Sequence, residues 1–192
     1  MTLFGSLASG THDGWSDIDM MCATTGPAVA WEAARLLRDA LPWRWYGPFS
    51  DLPQPSGRYW PLGESIFHSV DLSFRTLEAH ARVLDGGLRG FKVVAHDLLW
   101  REGLASREGE AGASVTPGDY AFTHTLYVAV KAMKDYLRSQ GDWVTVSARM
   151  DALEVEARAL PRRPAAGRPD DVLDEARSLY KRLLMDRLRA GV

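Results

Sequence analysis

With a single cysteine, Cys22, among 192 residues, the chain has no partner for an internal disulfide. That suits a reducing compartment such as the cytoplasm. Cys22 stands between apolar neighbours and reads as a small buried hydrophobe, not as a reactive thiol. Continuous apolar runs of about eighteen residues are missing, so no transmembrane helix and no membrane partner are expected. No charged segment followed by an apolar one opens the chain, so no secretory leader is expected. Excess positive charge is lacking too. The chain has 23 Lys and Arg against 25 Asp and Glu, a formal net charge of −2, which gives no general attraction to nucleic acid. The histidines at positions 12, 68, 80, 96 and 124 show no zinc-like spacing with Cys22, and no Gly-x-Ser-x-Gly elbow surrounds Ser6. What remains, 46% hydrophobic and 25% charged, is ordinary for a globular chain forming one well-buried domain or two small ones.

The informative stretch is Thr2 to Ala23. It reads as an apolar strand ending in Gly5-Ser6, a small-residue turn, a loop punctuated by Gly10 and Gly14, and a second strand carrying Asp17 and Asp19. Two aspartates two residues apart on a strand project from one face, with Cα atoms about 6.5 Å apart. Ile18, Met20 and Cys22 then face the other way, into a core. Neighbouring carboxylates raise each other's pKa unless a cation sits between them. Oxygen-only ligands suit a hard ion such as Mg²⁺, which takes one or two protein carboxylates plus substrate phosphates. Gly5 lets the backbone turn sharply and approach a ligand, and the N–H groups of Ser6 and the residues after it can point at a phosphate.

Gly5-Ser6, a ten-residue spacer from Leu7 to Ser16, and Asp17-Ile18-Asp19 resemble the signature of the DNA polymerase β-like nucleotidyltransferase superfamily. The Trp15-Ser-Asp-Ile-Asp19 wording is most similar to its small bacterial members, including the antibiotic nucleotidyltransferases. Neither half is specific alone; the conjunction at this spacing is. In the superfamily a third acid on a later strand completes the metal site, and Val70-Asp71-Leu72 matches that element. The resemblance implies a site for two Mg²⁺ ions made by Asp17, Asp19 and Asp71, with Gly5 and Ser6 fixing the β- and γ-phosphates of ATP or another nucleoside triphosphate. Ser16 helps to order the loop. Only Met1 to Phe4 precede Gly5-Ser6, where members of the superfamily carry a helix and a full strand. The expectation for that departure is a lost helix or an upstream start.

Along the chain, Thr24-Thr25-Gly26-Pro27 reads as a hydroxyl-capped helix start, with the helix running to about Leu41 and burying Trp31, Ala34, Leu37 and Leu41. Trp43 to Phe49 suits a strand, and Ser50 to Gly57 a loop. Tyr59 to Leu62 and Ile66 to Phe74 read as an antiparallel pair joined through Gly63-Glu64. In the second of these, Asp71 is the one acid among apolar and small residues. An unpaired buried carboxylate is expensive, so Asp71 should sit at an edge, pair with a base, or bind metal. A helix over Leu77 to Leu84 and a strand over Phe91 to Ala95 follow; His96 and Asp97 read first as residues that cap or end that strand, with a ligand contact for His96 and an auxiliary acid for Asp97 as the alternative.

The expected fold is α+β: a small mixed-sheet catalytic domain over residues 1–101, a linker over 102–116, and a helical bundle over 117–192. Its first helix runs to about Gln140 with an apolar stripe of Tyr120, Thr123, Leu126, Tyr127, Val130, Met133 and Leu137. Gly141 stops it and Asp142 caps the next. The last spans Asp170 to Arg189, with a stripe of Val172, Ala176, Leu179, Leu183 and Leu188. Lys131, Lys134 and Arg138 read as a solvated face, with a reach to triphosphate as the alternative. By resemblance, the reaction moves a nucleoside monophosphate, AMP in the first instance, onto a hydroxyl of an aminoglycoside, a lincosamide or a similar small molecule. A toxin–antitoxin type enzyme that modifies a protein, and a non-catalytic nucleotide-binding scaffold, are the alternatives. A homodimer is compatible with both.

Overall fold

The structure is a computed structural model of the chain and describes residues 1–48, 55–85, 92–93, 117–160 and 169–191. It is an α+β arrangement in which a mixed sheet is followed by a run of long helices. The strands are β1 (Thr2–Phe4), β2 (Ile18–Thr24), β3 (Trp43–Pro48), β4 (Gly57–Pro61), β5 (Val70–Thr76) and a two-residue β6 (Lys92–Val93). The helices are α1 (Gly5–Ser9), α2 (Pro27–Ala40), α3 (Leu77–Asp85), α4 (Pro117–Leu137), α5 (Trp143–Ala159) and α6 (Pro169–Ala190). Strand order across the sheet is β3-β4-β5-β2-β1-β6. Among the described strands only β2 and β5 run parallel; their register sets Ile18 beside Val70, Asp19 beside Asp71 and Cys22 beside Phe74.

Alternation along these strands divides the interior in two. Met20 and Cys22 of β2, Tyr59 of β4 and Val70, Leu72 and Phe74 of β5 pack with Ala30, Ala34 and Leu37 of α2 on one face. The opposite face carries Trp45 and Trp60, with Ile66 and Phe67 from the β4–β5 connection, against Phe122, Leu126 and Met133 of α4. That second core continues through Val146 and Leu153 of α5 and Val172 and Leu183 of α6. A register shift between Trp43 and Trp45 on β3 lets Trp43 join the first core and Trp45 the second. The sheet and α4 approach closely at Gly47, where an added Cβ would collide with Thr123. Beside it Trp45 Nε1 donates to Thr123 Oγ1 at 3.0 Å. Arg44 and Glu175 form an ion pair, and Glu175 also accepts from the Ile66 backbone at 3.0 Å, tying α6 to the sheet. Among the described residues no helix is long and apolar enough to cross a membrane.

Several expectations are corrected. α2 carries Pro27 in its first turn, but its N-cap is Gly26 with no side-chain cap; Thr24 Oγ1 donates instead to the Gly26 and Arg75 carbonyls. Ile66 to Ser69 is a turn and not strand, because Trp60 Nε1 takes the Ile66 carbonyl and Asp17 takes the Ser69 amide. Leu41, Leu137 and Leu188 are exposed at the ends of their helices, as is Ile18 at the start of β2. The Asp142 cap is as expected, its carboxylate accepting from Thr145 N at 2.8 Å. The boundary near Arg101, the linker over 102–116, His96 and Asp97, and the tip of the 50–57 loop lie outside the described residues.

Candidate active site

The sheet face turned toward α4 bears the acids. Asp19 and Asp71 occupy matched positions on adjacent parallel strands, which sets their Cα atoms about 4.8 Å apart. Because Met20 and Cys22 on β2, and Val70 and Leu72 on β5, are committed to the α2 side, Asp19 and Asp71 must point the other way. Asp17 lies one residue before β2 rather than on it, so alternation alone does not aim it. Its Oδ1 accepts from Ser69 N at 3.1 Å, from Ser69 Oγ at 2.8 Å and from Lys134 Nζ of α4 at 2.8 Å.

Each acid meets a different environment. Asp71 is buried and held at both oxygens by Arg58, its neighbour across β4–β5. Arg58 Nε donates to Oδ1 at 2.5 Å and Nη2 to Oδ2. The guanidinium also lies 3.3 Å from the centre of the Tyr127 ring, a stacked cation. Burial pushes the Asp71 carboxyl up, with Arg58 pulling the other way. The Asp19 carboxylate has no hydrogen-bond or ion-pair partner among the described residues. Burial, then the charges of Asp71 and Asp17, raise its pKa from 3.8 to about 6. Lys134 is 3% exposed, and burial pulls its ammonium down against the support of Asp17.

The approach to the acids is built from Gly5 to Ser16. Gly5 has φ +70°, and a Cβ there would collide with the Asp19 carboxylate, so only glycine fits. The expected small-residue turn is the one-and-a-half-turn helix α1, ended by Gly10 at φ 73°, with Ser9 Oγ folded back onto the Gly5 and Ser6 carbonyls. The Ser6 hydroxyl has no partner among the described residues. Ser16 orders the loop as expected: its Oγ donates to Asp13 Oδ1 and accepts from Asp13 N, both at 3.0 Å. Arg138, just past the end of α4, grips Asp13 at 2.6 and 2.7 Å and, with the Trp15 amide and the Ser16 hydroxyl, holds its carboxyl well below the ordinary range. Trp15 stands edge-on to Phe67 at 4.7 Å, and His68 Nε2 pairs with the Gly14 carbonyl at 2.9 Å. Loop, β4–β5 connection and α4 are thereby joined around the acids.

Sequence reasoning brought Gly5, Ser6, Ser16, Asp17, Asp19 and Asp71 to one corner of the fold, and the structure places them there. It missed Arg58, Ser69 and Tyr127, and it read Lys134 as solvated when the residue is buried. Two signals were available. Arg58 is the lone base in the apolar run Arg58-Tyr-Trp-Pro, at a position that faces Asp71 across the hairpin. Lys134 falls four residues after Val130 and seven after Tyr127, on the buried stripe of α4. His12 is exposed, and Lys131 pairs with Asp135 at 2.7 Å on the surface.

Among the described residues no three acid, histidine or cysteine side chains already surround one point as the ligands of an ion. The donor set nonetheless fits a hard divalent cation. It is all oxygen, and Asp19 is a partly buried carboxylate pressed by two others with no cation of its own. No family model matches the chain, and no curated protein and no solved structure matches it either.

Proposed function

We propose that this chain is a Mg²⁺-dependent nucleotidyltransferase that moves a nucleoside monophosphate, from ATP in the first instance, to a hydroxyl of a small molecule. One observation carries the reading: Asp19 and Asp71 side by side on adjacent parallel strands, with Asp17 two residues before Asp19 and Gly5 against the Asp19 carboxylate. That is the arrangement implied by the resemblance of the Gly5-Ser6 and Asp17-Ile18-Asp19 stretch to the superfamily. Asp17 and Asp19 would hold the triphosphate-bound ion, and both with Asp71 the ion beside the acceptor. When bound, the two ions would supply charge stabilisation to the attacking and leaving oxygens of an in-line displacement. Gly5 and Ser6 would fix the β- and γ-phosphates, the Ser6 hydroxyl being free to donate. The acceptor oxygen forms its bond to the α-phosphorus, pyrophosphate leaves, and the hydroxyl proton passes to a carboxylate near the acceptor. Arg138 on Asp13 and Ser69 on Asp17 keep the loop and first acid in place before substrate arrives, which lowers the ordering required on binding.

One specific feature favours a second reading. Arg58 and Lys134 already neutralise Asp71 and Asp17, as they would in a nucleotide-binding scaffold that performs no transfer. Incubation with Mg²⁺ and α-phosphate-labelled ATP, against a panel of aminoglycosides, lincosamides and cell-extract proteins, separates the cases. Label on a small molecule that is lost in Asp17→Ala and Asp19→Ala supports the enzyme. Label on a protein band supports a protein-modifying enzyme, and transfer that persists in Asp19→Ala excludes the two-ion site.

A further inference from the structure

The two cations among the acids are not held alike. Arg58 is committed at both ends: two bonds run to Asp71, and its flat face covers Tyr127. A rigid guanidinium fork in bidentate contact and under an aromatic ring is poorly placed to let go. Lys134 makes one contact, to Asp17 Oδ1 at 2.8 Å, at the end of a flexible four-carbon stem. Lys134 is 3% exposed, so a buried ammonium on a flexible stem stands beside the acids. Its rotatable donors can pass from Asp17 to a ligand rich in acceptors.

Charge points the same way. Three carboxylates and two bound cations leave the cluster with one uncompensated negative charge, on Asp19. One divalent ion would already over-neutralise it, and a second would leave it strongly positive. A polyphosphate that draws off Lys134 changes both conditions at once, freeing Asp17 and bringing negative charge.

Resting on the nucleotidyltransferase reading, we propose that Lys134 is an internal counter-ion that withholds Asp17 from free divalent cations and transfers to the polyphosphate when nucleotide arrives. The site therefore selects the metal–nucleotide complex over free metal. Lys134 is a positioning residue for the acids and a direct contact for the ligand anion.

The test uses the full chain and two probes applied separately: Mn²⁺ alone, and inorganic tripolyphosphate in EDTA. Binding is read by calorimetry and by the unfolding temperature. Lys134→Gln should bind free Mn²⁺ roughly 10-fold more tightly than the unsubstituted chain and tripolyphosphate roughly 10-fold more weakly, an ordinary coupling between sites. Lys134→Arg, which keeps the charge, should retain weak Mn²⁺ binding. A folded Lys134→Gln protein that binds Mn²⁺ no more tightly than the unsubstituted chain overturns the proposal. Should that variant not fold, the unsubstituted chain decides: stabilisation by metal-free tripolyphosphate supports the exchange, and its absence refutes it. Failure of the parent reading looks different. There, Mn²⁺ with a non-hydrolysable ATP analogue would not bind, or would bind equally well to Asp19→Asn, and the proposal falls with it.

Discussion

Replacing Asp19 by asparagine should make the metal-free protein more stable at neutral pH, although it removes a proposed ligand. Asparagine has nearly the shape of aspartate and carries no charge. Raising the Asp19 carboxyl from 3.8 to about 6 corresponds to about 3 kcal/mol against its charged form. Asp19 is only partly buried, and solvent screening reduces this to about 1–2 kcal/mol. In a chain of this size the gain appears as an unfolding temperature about 3–6 °C higher. The sign with pH follows from a folded pKa above the unfolded one. The native state gains from protonated Asp19 below pH 3.8 and loses that gain as pH rises through about 6. Unfolding in EDTA, followed by circular dichroism from pH 3.5 to 8, should therefore show Asp19→Asn and the unsubstituted chain converging at the acid end. They should separate as pH rises from about 3.8 to about 6 and stay apart by a constant amount above that, with the variant the more stable. Saturating Mn²⁺ should stabilise the unsubstituted chain and not the variant. If Asp19→Asn is equally or less stable at pH 7.5 in EDTA, Asp19 is not an uncompensated charge and the electrostatic account of the site is wrong.

Gly5→Ala combines a left-handed backbone with a collision against the Asp19 carboxylate, and should cost about 1–3 kcal/mol in denaturant unfolding. It should also abolish nucleotidyl transfer even where the fold survives. Cys22 is 2% exposed and burial raises its thiol pKa, so a thiol reagent at pH 8 should label it only in denaturant; fast labelling of the native protein would show that β2 is not packed against α2 as described.

Local chemistry determined a great deal of this molecule directly from its sequence. Apolar periodicity located α2, α4 and α6, and Gly141-Asp142 the turn and cap between α4 and α5. Those signals act between residues a few positions apart and need no fold to operate. Gly5, Ser6, Asp17 and Asp19 were singled out in the same way, because the chemistry they suggest depends on residue type and short spacing; Asp71 stood out as the lone acid of its strand and through the resemblance to the superfamily. Tertiary structure decided what surrounds them. The register of β2 on β5 sets Asp19 beside Asp71, and pairing between strands 52 residues apart is a long-range choice that no window of sequence contains. Arg58 and Asp71 meet because β4 and β5 fall into one particular register. Lys134 reaches Asp17 across 117 positions of chain, its burial set by how α4 crosses the sheet over Gly47 and Thr123. Spacing names the acids; only packing, which fixes the local dielectric and the nearest opposite charge, decides that two of them are paired and that Asp19 is not.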